Sequence, residues 1–471
     1  MTAFFTSFTG SLLWLILIST GIYFLSLRRL SGQIQTSQSK PHSLAYYYGR
    51  YAVIWAFFPA IIVLIIWTSF TRPLENQFII QSLSAAYPDL PSSFIDLKIA
   101  QIKNISSGLI AAEDDVMRGL ADQYGDASDR LSTLRYVTVI LVSLIGGMFA
   151  ISRIKPHFKA RVVFEGFLRR VFTFAAIVAI LTTIGIIVSL TFEAFRFFTQ
   201  YHPIDFFFGT HWSPNVALRE GVETALDEDV GGSSGSFGMI PVMAGTLLIA
   251  FIAMLVAVPI GLFAAIYMAE FASRRVRNYV KPTLEVLAGI PTVVYGFFAA
   301  LTIGPFIRNL GLFAGLDVSS QSALAAGAVM GIMIIPFISS LSDDVITAVP
   351  RSLRDGALGL GSTRGEMITK VVLPAAFPGL VGAFLLAISR AIGETMIVVM
   401  AAGVSAQLTA NPLDSVTTVT VQIVMLLTGD TEFDSVKTLS AFALGITLFV
   451  VTLCLNIAAL SMSRRIGGRY E

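Results

Sequence analysis

Pro350-Arg351-Ser352-Leu353-Arg354-Asp355-Gly356-Ala357-Leu358-Gly359-Leu360-Gly361-Ser362-Thr363-Arg364-Gly365-Glu366-Met367-Ile368-Thr369-Lys370-Val371-Val372-Leu373-Pro374 is a polar, patterned stretch set between two apolar runs, about 322–341 and 377–403. Each run reaches the roughly 20 apolar residues that an α-helix needs to cross a bilayer. The stretch between them is longer and more ordered in pattern than a plain connection requires. Ser352 and Asp355 have the spacing of a capping box that would open a short helix, and Thr363 with Glu366 has it again. Gly359 and Gly361 suit the turn between the two helices, because glycine tolerates positive φ. Pro374 is expected to end or kink the second helix, since proline removes a backbone donor. The stretch therefore predicts a helix–turn–helix projecting from one membrane face, shaped for a partner. An amphipathic loop lying flat on the membrane is the plainer alternative.

The rest of the chain supports a membrane setting. It has 471 residues, 55% of them hydrophobic and 13% charged. Soluble domains carry about 25% charged residues, so this chain lacks the polar surface to be water-soluble throughout. Nine apolar runs are long enough to span: about 10–27, 51–70, 136–152, 171–195, 240–269, 284–307, 322–341, 377–403 and 438–462. All are expected to be helices, because an isolated strand leaves backbone groups unpaired in lipid. The first run, Leu12 to Leu27, is followed by Arg28-Arg29 without a small-residue cleavage pattern and reads as a retained span. Of the 32 lysines and arginines, 21 fall in segments 28–50, 153–170, 274–281, 351–370 and 464–469. These alternate with neutral or acidic segments, among them 71–135 with six basic and nine acidic residues and 196–239 with two and six. The positive-inside rule then puts the N-terminus outside, the C-terminus in the cytoplasm and the patterned stretch on the cytoplasmic face.

A division near residue 165 is expected, with three spans before it and six after. Within 71–135, residues Pro91 to Arg135 are expected to be mostly helical: Ile95, Leu97, Ile99, Ile102, Ile105, Leu109 and Ile110 recur at near-helical spacing. A helical cap or hairpin is the simple reading, and a docking surface for a partner the sharper one. Glu113-Asp114-Asp115 is expected to face water. The loop 226–236 has a flexible, solvated composition.

One basic residue, Arg390, lies clearly inside a span, with Glu394 four residues on. Four-residue spacing would put both on one helix face, where they could pair. A charge at mid-membrane costs roughly 2.5–3.5 kcal/mol on insertion scales, so such residues tend to be functional. A guanidinium offers paired donors to an oxyanion. Two readings stay open: Arg390 lines a translocation path with Glu394 holding it, or the two form a structural ion pair. Gly289-Ile290-Pro291 is expected to allow a kink or a close helix approach within the sixth span.

Some functions are excluded. The chain has no Gly-x-x-x-x-Gly-Lys-Ser/Thr loop, so energy from ATP would have to come from a partner. No nucleophile–base constellation appears, and the intramembrane acids are too few for a proton relay. The lone Cys454 permits no internal disulfide and is expected to be packing. His42, His157, His202 and His211 lack metal-ligand spacing, so no metal site is expected.

At this point a resemblance becomes specific. Binding-protein-dependent ABC permeases share a cytoplasmic loop reading Glu-Ala-Ala, three residues, Gly, nine residues, Ile-x-Leu-Pro. Here Asp355-Gly356-Ala357 stands in the triplet, Gly361 at the glycine, and Val371, Leu373 and Pro374 at the end. Asp for Glu and Gly for Ala are departures, and the glycine weakens the first helix by about 1 kcal/mol. Leu287-Ala288-Gly289-Ile290-Pro291-Thr292-Val293-Val294-Tyr295-Gly296, Val349-Pro350-Arg351-Ser352-Leu353-Arg354, Ser389-Arg390-Ala391-Ile392-Gly393-Glu394-Thr395 and Phe207-Phe208-Gly209-Thr210-x-Trp212-x-Pro214 resemble the PstC-type subunit of phosphate-specific importers. The resemblance covers about 166–471. It implies an all-α membrane fold with a six-helix permease core, forming half of a channel for ATP-driven phosphate import. It implies a PstA-type permease as heterodimer partner, two cytoplasmic ATPase subunits and a periplasmic phosphate-binding protein, in a bacterial inner membrane. Membrane lipid surrounds the chain, and neither cofactor nor nucleic acid is implied. Arg354, Asp355, Ala357, Gly361, Leu373 and Pro374 fall to ATPase coupling, and Arg390 with Glu394 to the substrate pathway. A permease for another oxyanion or small solute, or a non-ABC carrier, are the competing readings.

Overall fold

The structure is a computed structural model that describes residues 8–37, 40–87, 92–112, 114–214, 235–428 and 435–470. Among the described residues, nine helices are long and apolar enough to cross a membrane. The chain forms two compact units, Met1–Ile180 and Leu181–Glu471. Their junction falls inside one long helix, Ala160–Gln200. The polar segment 153–170 is mostly the first turns of that helix.

In the first unit, α1 (Phe8–Ser37), α2 (Ala45–Ala86) and α4 (Asp115–Arg153) pack together, with α3 (Ser92–Ser106) between α2 and α4 in sequence. Helices α2 and α4 run far past the expected spans 51–70 and 136–152. The 42 residues of α2 extend roughly 63 Å at 1.5 Å per residue, about twice the hydrocarbon thickness. Hydropathy marks only the lipid-facing portion. The polar portions stay helical because they bury a core of their own: Ile79 and Leu83 of α2 meet Ile99 and Ile102 of α3 and Met117 and Ala121 of α4. Each fully buried side chain of this size contributes roughly 1.5–3 kcal/mol. Ile95, Ile99, Ile102 and Ile105 face this core, whereas Leu97, Leu109 and Ile110 are exposed. Glu75 accepts hydrogen bonds from Ser128 at 3.2 Å and Tyr124 at 3.4 Å beside the same core. Asp114 and Asp115 are exposed, and Glu113 lies outside the described residues.

Helix α5 (Ala160–Gln200) leads into the second unit. There α6 (Pro203–Phe208) and the two-residue strands β1 (Trp212–Ser213) and β2 (Ser236–Phe237), paired antiparallel, close a small aromatic cluster of Phe197, Phe206, Trp212 and Phe237. Of the loop expected at 226–236, residues 226–234 lie outside the described residues.

Helix α7 (Ile240–Ile266) continues into a π-turn, Tyr267–Phe271. The amphipathic α8 (Arg274–Ala288) follows, then α9 (Thr292–Phe298), a second π-turn (Ala299–Ile303) and α10 (Gly304–Phe313). The sixth span is therefore Thr292–Phe313, not 284–307. Gly289-Ile290-Pro291 does not kink a span. It separates α8 from α9, because Pro291 has no amide to continue the ladder and caps α9 instead.

Helix α11 (Ala323–Ala348) crosses against α7. Small residues set their approach: a Cβ on Gly331 would stand 2.9 Å from the Ala253 carbonyl oxygen, and one on Gly327 2.7 Å from Ile252 Cβ. Helices in lipid gain no hydrophobic drive from meeting, so close backbone approach supplies the packing. The remaining elements are α12 (Arg351–Gly359), α13 (Arg364–Met367), a third π-turn (Ile368–Val372), α14 (Leu373–Ile392), α15 (Met396–Ala401), α16 (Val419–Thr428) and α17 (Val436–Tyr470). Cys454 is free and exposed on α17 rather than packed.

Candidate functional site

Two places carry chemistry, and the first is the loop between α11 and α14. Its opening differs from the sequence expectation. Pro350 is the N-cap of α12, and no side chain caps that end, so the Ser352–Asp355 box does not form. The helix begins at Arg351, which puts Ser352 already inside the first turn. The turn is set by Gly361 at φ +88°, where a side chain would be strained. Gly361 N–H donates to Leu358 O at 3.0 Å and Ser362 N–H to Ala357 O at 3.2 Å, the paired bonds of a Schellman ending. Gly359 is simply the last residue of α12. The second capping box is present: the Glu366 amide donates to Thr363 Oγ1 at 3.3 Å, and the Thr363 amide to Glu366 Oε2 at 3.1 Å. Lys370 pairs with Glu366 at 3.1 Å. Pro374 neither ends nor breaks the helix. The π-turn just before it widens the ladder, so the missing donor is absorbed and the chain runs on from Arg364 to Ile392.

The side chains of this loop divide by direction. Ala357 is buried with Ile346, Val349, Met367, Ile368 and Val372, and Leu373 packs against that core. Asp355, Gly361 and Pro374 are exposed. Arg354 turns inward. Its Nε donates to Glu270 Oε1 at 3.0 Å, Nη2 to Ile346 O at 2.7 Å, and Nη1 to Val349 O. The side chains of Arg354 and Glu270 are only 15% and 9% exposed. Removing one partner of a buried pair costs roughly 3–5 kcal/mol. A second ionic grip lies nearby: Arg277 Nη2 donates to both carboxylate oxygens of the fully buried Asp343, at 2.8 and 3.1 Å. Lys281 reaches Asp343 and Asp344, each at 3.2 Å. Burial opposes the Lys281 charge, but the two carboxylates outweigh it and raise the pKa above the ordinary lysine value.

The second place is the end of α14. Arg390 and Glu394 do not pair. The helix stops at Ile392, and Gly393 and Glu394 leave its path before α15 begins. Arg390 is exposed, its Cζ 5.5 Å from the centre of the Phe337 ring and Nη2 3.9 Å from Met333 Sδ. The Glu394 carboxylate accepts from the amides of Met396 at 3.1 Å and Ile397 at 3.5 Å, the free donors that start α15. The Glu394 carbonyl accepts from Thr420 Oγ1 at 2.9 Å. Among the described residues Arg390 thus has no carboxylate partner, and it lies two residues before its spanning helix ends at Ile392. Interrupted helices near mid-membrane are a recurring way to build a substrate site.

Sequence reading missed what holds this interruption. Thr246 accepts from the Val419 amide at 3.0 Å, Thr418 and Thr420 hydroxyls lie 3.0 Å apart, and Gln422 bridges Trp212 at 2.9 Å and Thr417 at 3.0 Å. The five polar side chains other than Trp212 are buried hydroxyls or an amide with partners. The run Val416-Thr417-Thr418-Val419-Thr420-Val421-Gln422 was the available signal: hydroxyls dense in an apolar setting need partners. Among the described residues no group of three metal-ligating side chains comes together.

Among the described residues, nine helices of spanning length and a tightly closed loop between two of them fit a subunit of a membrane permease. Residues 257–468 match the model of the binding-protein-dependent transport system inner membrane component, and residues 12–182 match one described as phosphate ATP-binding cassette transporter. The probable ABC transporter permease protein YqgH of Bacillus subtilis is 32% identical over 302 residues, 63% of this chain and 91% of that protein. The phosphate transport system permease protein PstC 1 of Mycobacterium tuberculosis is 35% identical over 284 residues, 56% of this chain and 82% of its own length. PstC of Pasteurella multocida is 31% identical over 327 residues, 66% of this chain and 93% of that protein. The chain belongs to the PstC-type family of ABC transporter permeases.

Proposed function

We propose that this chain forms half of the membrane channel of an ATP-driven phosphate importer in a bacterial inner membrane. The observation that carries the reading is the loop 350–374: two short helices locked by a Schellman ending and a capping box, in a chain whose relatives are phosphate permeases. A loop this ordered is suited to a complementary groove on another protein. In this reading a PstA-type permease completes the channel, two cytoplasmic ATPase subunits dock at the loops, and a periplasmic binding protein delivers phosphate. The basic segments face the cytoplasm, with the N-terminus outside and the C-terminus inside. Residues 1–165 are a three-span extension, and residues 166–471 are the six-helix permease core.

ATP-driven closure of the ATPase pair would press on α12 and α13 and so move the helices that the loop grips. Asp355 and Gly361 present the exposed docking face, while Ala357 and Leu373 seat the loop on the bundle. Arg390 would meet the anion in the path. Among the described residues no carboxylate competes for its charge, so its N–H groups are free to donate to an oxyanion. Glu394 acts by fixing the helix break, not by neutralising Arg390. The test is uptake of radiolabelled phosphate into vesicles holding this chain with its neighbouring subunits. ATP-dependent uptake is expected, outcompeted by unlabelled phosphate. No phosphate uptake, but ATP-dependent uptake of sulfate or another solute, would overturn the substrate assignment.

A further inference from the structure

We infer that Arg354 is a positioning residue that ties the docking helix to the two helices above it, so that α7, α11 and α12 travel as one body. The inference rests on the coupling role proposed for the loop and gives it a mechanical route.

Arg354 was grouped with the docking residues by its place in the motif, yet its side chain points the other way. Its three nitrogens reach two different helices. Nη1 and Nη2 take the carbonyls of Val349 and Ile346 where α11 ends; the Ile346 carbonyl also accepts from the Val349 amide at 3.2 Å. Nε takes Glu270, which sits on the π-turn closing α7. A guanidinium is the one side chain that can hold carbonyls and a carboxylate together in a fixed fork. The ordinary helical path of α7 ends before Glu270. The π-turn re-aims that last stretch, and such turns are frequent at functional sites.

The surroundings strengthen the tie. Ala265 of α7, Ile346 of α11, Ala357 of α12 and Val372 of the next π-turn share one apolar cluster around the pair. The packing resists separation but carries no direction. The Arg354 fork adds it, because sliding α12 along α7 would break the ion pair first. A push on α12 therefore reaches the ends of α7 and α11 directly. Those two helices cross at Gly327 and Gly331 and cannot move independently near that crossing.

The experiment uses the complete transporter with its ATPase subunits, comparing wild type with Arg354→Gln, Glu270→Gln and the double variant. Three quantities are measured: ATPase subunits retained on purification, ATP hydrolysed, and phosphate moved per ATP. Both single variants are expected to retain the ATPase subunits and hydrolyse ATP, with phosphate per ATP at least tenfold lower. The double variant should fall no further, since the two residues act as a unit. Glu270→Gln keeps both carbonyl bonds of Arg354, so it carries the test even if Arg354→Gln fails to assemble. A Glu270→Gln transporter with wild-type phosphate per ATP overturns the inference. So does loss of ATPase subunits from an Arg354→Gln transporter whose membrane subunits still fold and assemble, which would place Arg354 on the docking face. Wild type without ATP-driven phosphate uptake would instead overturn the transport reading. A substrate-independent measurement keeps the two apart: spin labels at Ser352→Cys and Phe263→Cys, in a Cys454→Ser background. Their separation should stay constant through the ATP cycle in wild type and spread in Glu270→Gln. A separation that changes equally in both overturns the inference.

Discussion

Arg390 and Glu394, four residues apart, look away from each other: the guanidinium lies over Phe337, and the carboxylate is turned onto the amides of Met396 and Ile397. The pair that i,i+4 spacing suggests would need an unbroken helix, and the helix ends at Ile392. Among the described residues the charge of Arg390 therefore has no carboxylate partner.

Arg390→Ala should abolish uptake, with at least a hundredfold loss, while the protein remains in the membrane and bound to its partners. Arg390→Lys should retain a part, since it keeps the charge but loses the paired donors. Uptake at matched assembly, read from purified complex, is the check. Loss of the protein itself would favour a structural role.

Glu394→Gln should be milder than Glu394→Ala. The amide oxygen of glutamine can still accept from Met396 and Ile397, whereas alanine leaves those donors bare. Losing a cap costs about 0.5–2 kcal/mol. The comparison is made by uptake and by thermal stability of the solubilised complex. If both variants lose uptake equally at unchanged stability, the carboxylate charge matters in its own right.

Substituting Gly361 should act through backbone shape. Gly361→Val should abolish retention of the ATPase subunits, and Gly361→Asn should keep much of it, because asparagine tolerates the left-handed region far better. No Cβ clash is involved, as nothing lies within 4 Å of that position. Co-purification reads the difference. Normal retention in Gly361→Val would remove the loop from docking.

Gly331→Leu should destabilise the second unit, with overpacking of this kind costing about 1–3 kcal/mol or more. The added atoms would meet the Ala253 carbonyl and Val256. Gly365→Ala, where nothing lies within 4 Å, is the control and should not lower stability. Fluorescence-detected size exclusion after a heating series separates them.

How far sequence led depends on which force decided each feature. Hydropathy found nine spans because transfer into lipid is additive along the chain. It stopped short on α2 and α4, whose outer parts are held by Ile79, Ile102 and Met117 meeting across three helices. The Thr363–Glu366 box and the Gly361 turn are local and were readable. The Ser352–Asp355 box was equally plausible locally and does not form, because Pro350 starts the helix two residues earlier than that box requires. The break at Gly393 is held by Thr420 and Glu394 itself, a tertiary arrangement without a local pattern. Arg354 shows the limit of motif position: residues adjacent in a docking motif can face opposite ways, and Asp355 and Arg354 do.

The closed turn at Gly361, followed at once by the Thr363–Glu366 box, leaves the loop little conformational freedom to surrender on association. A flexible segment would have to be ordered on each encounter, at the expense of affinity. Here the backbone is set before any partner arrives, so the strength of the joint depends on fit rather than on folding. A mismatch of a fraction of an ångström should then weaken the joint sharply, while lengthening contacts around its rim should strengthen it little.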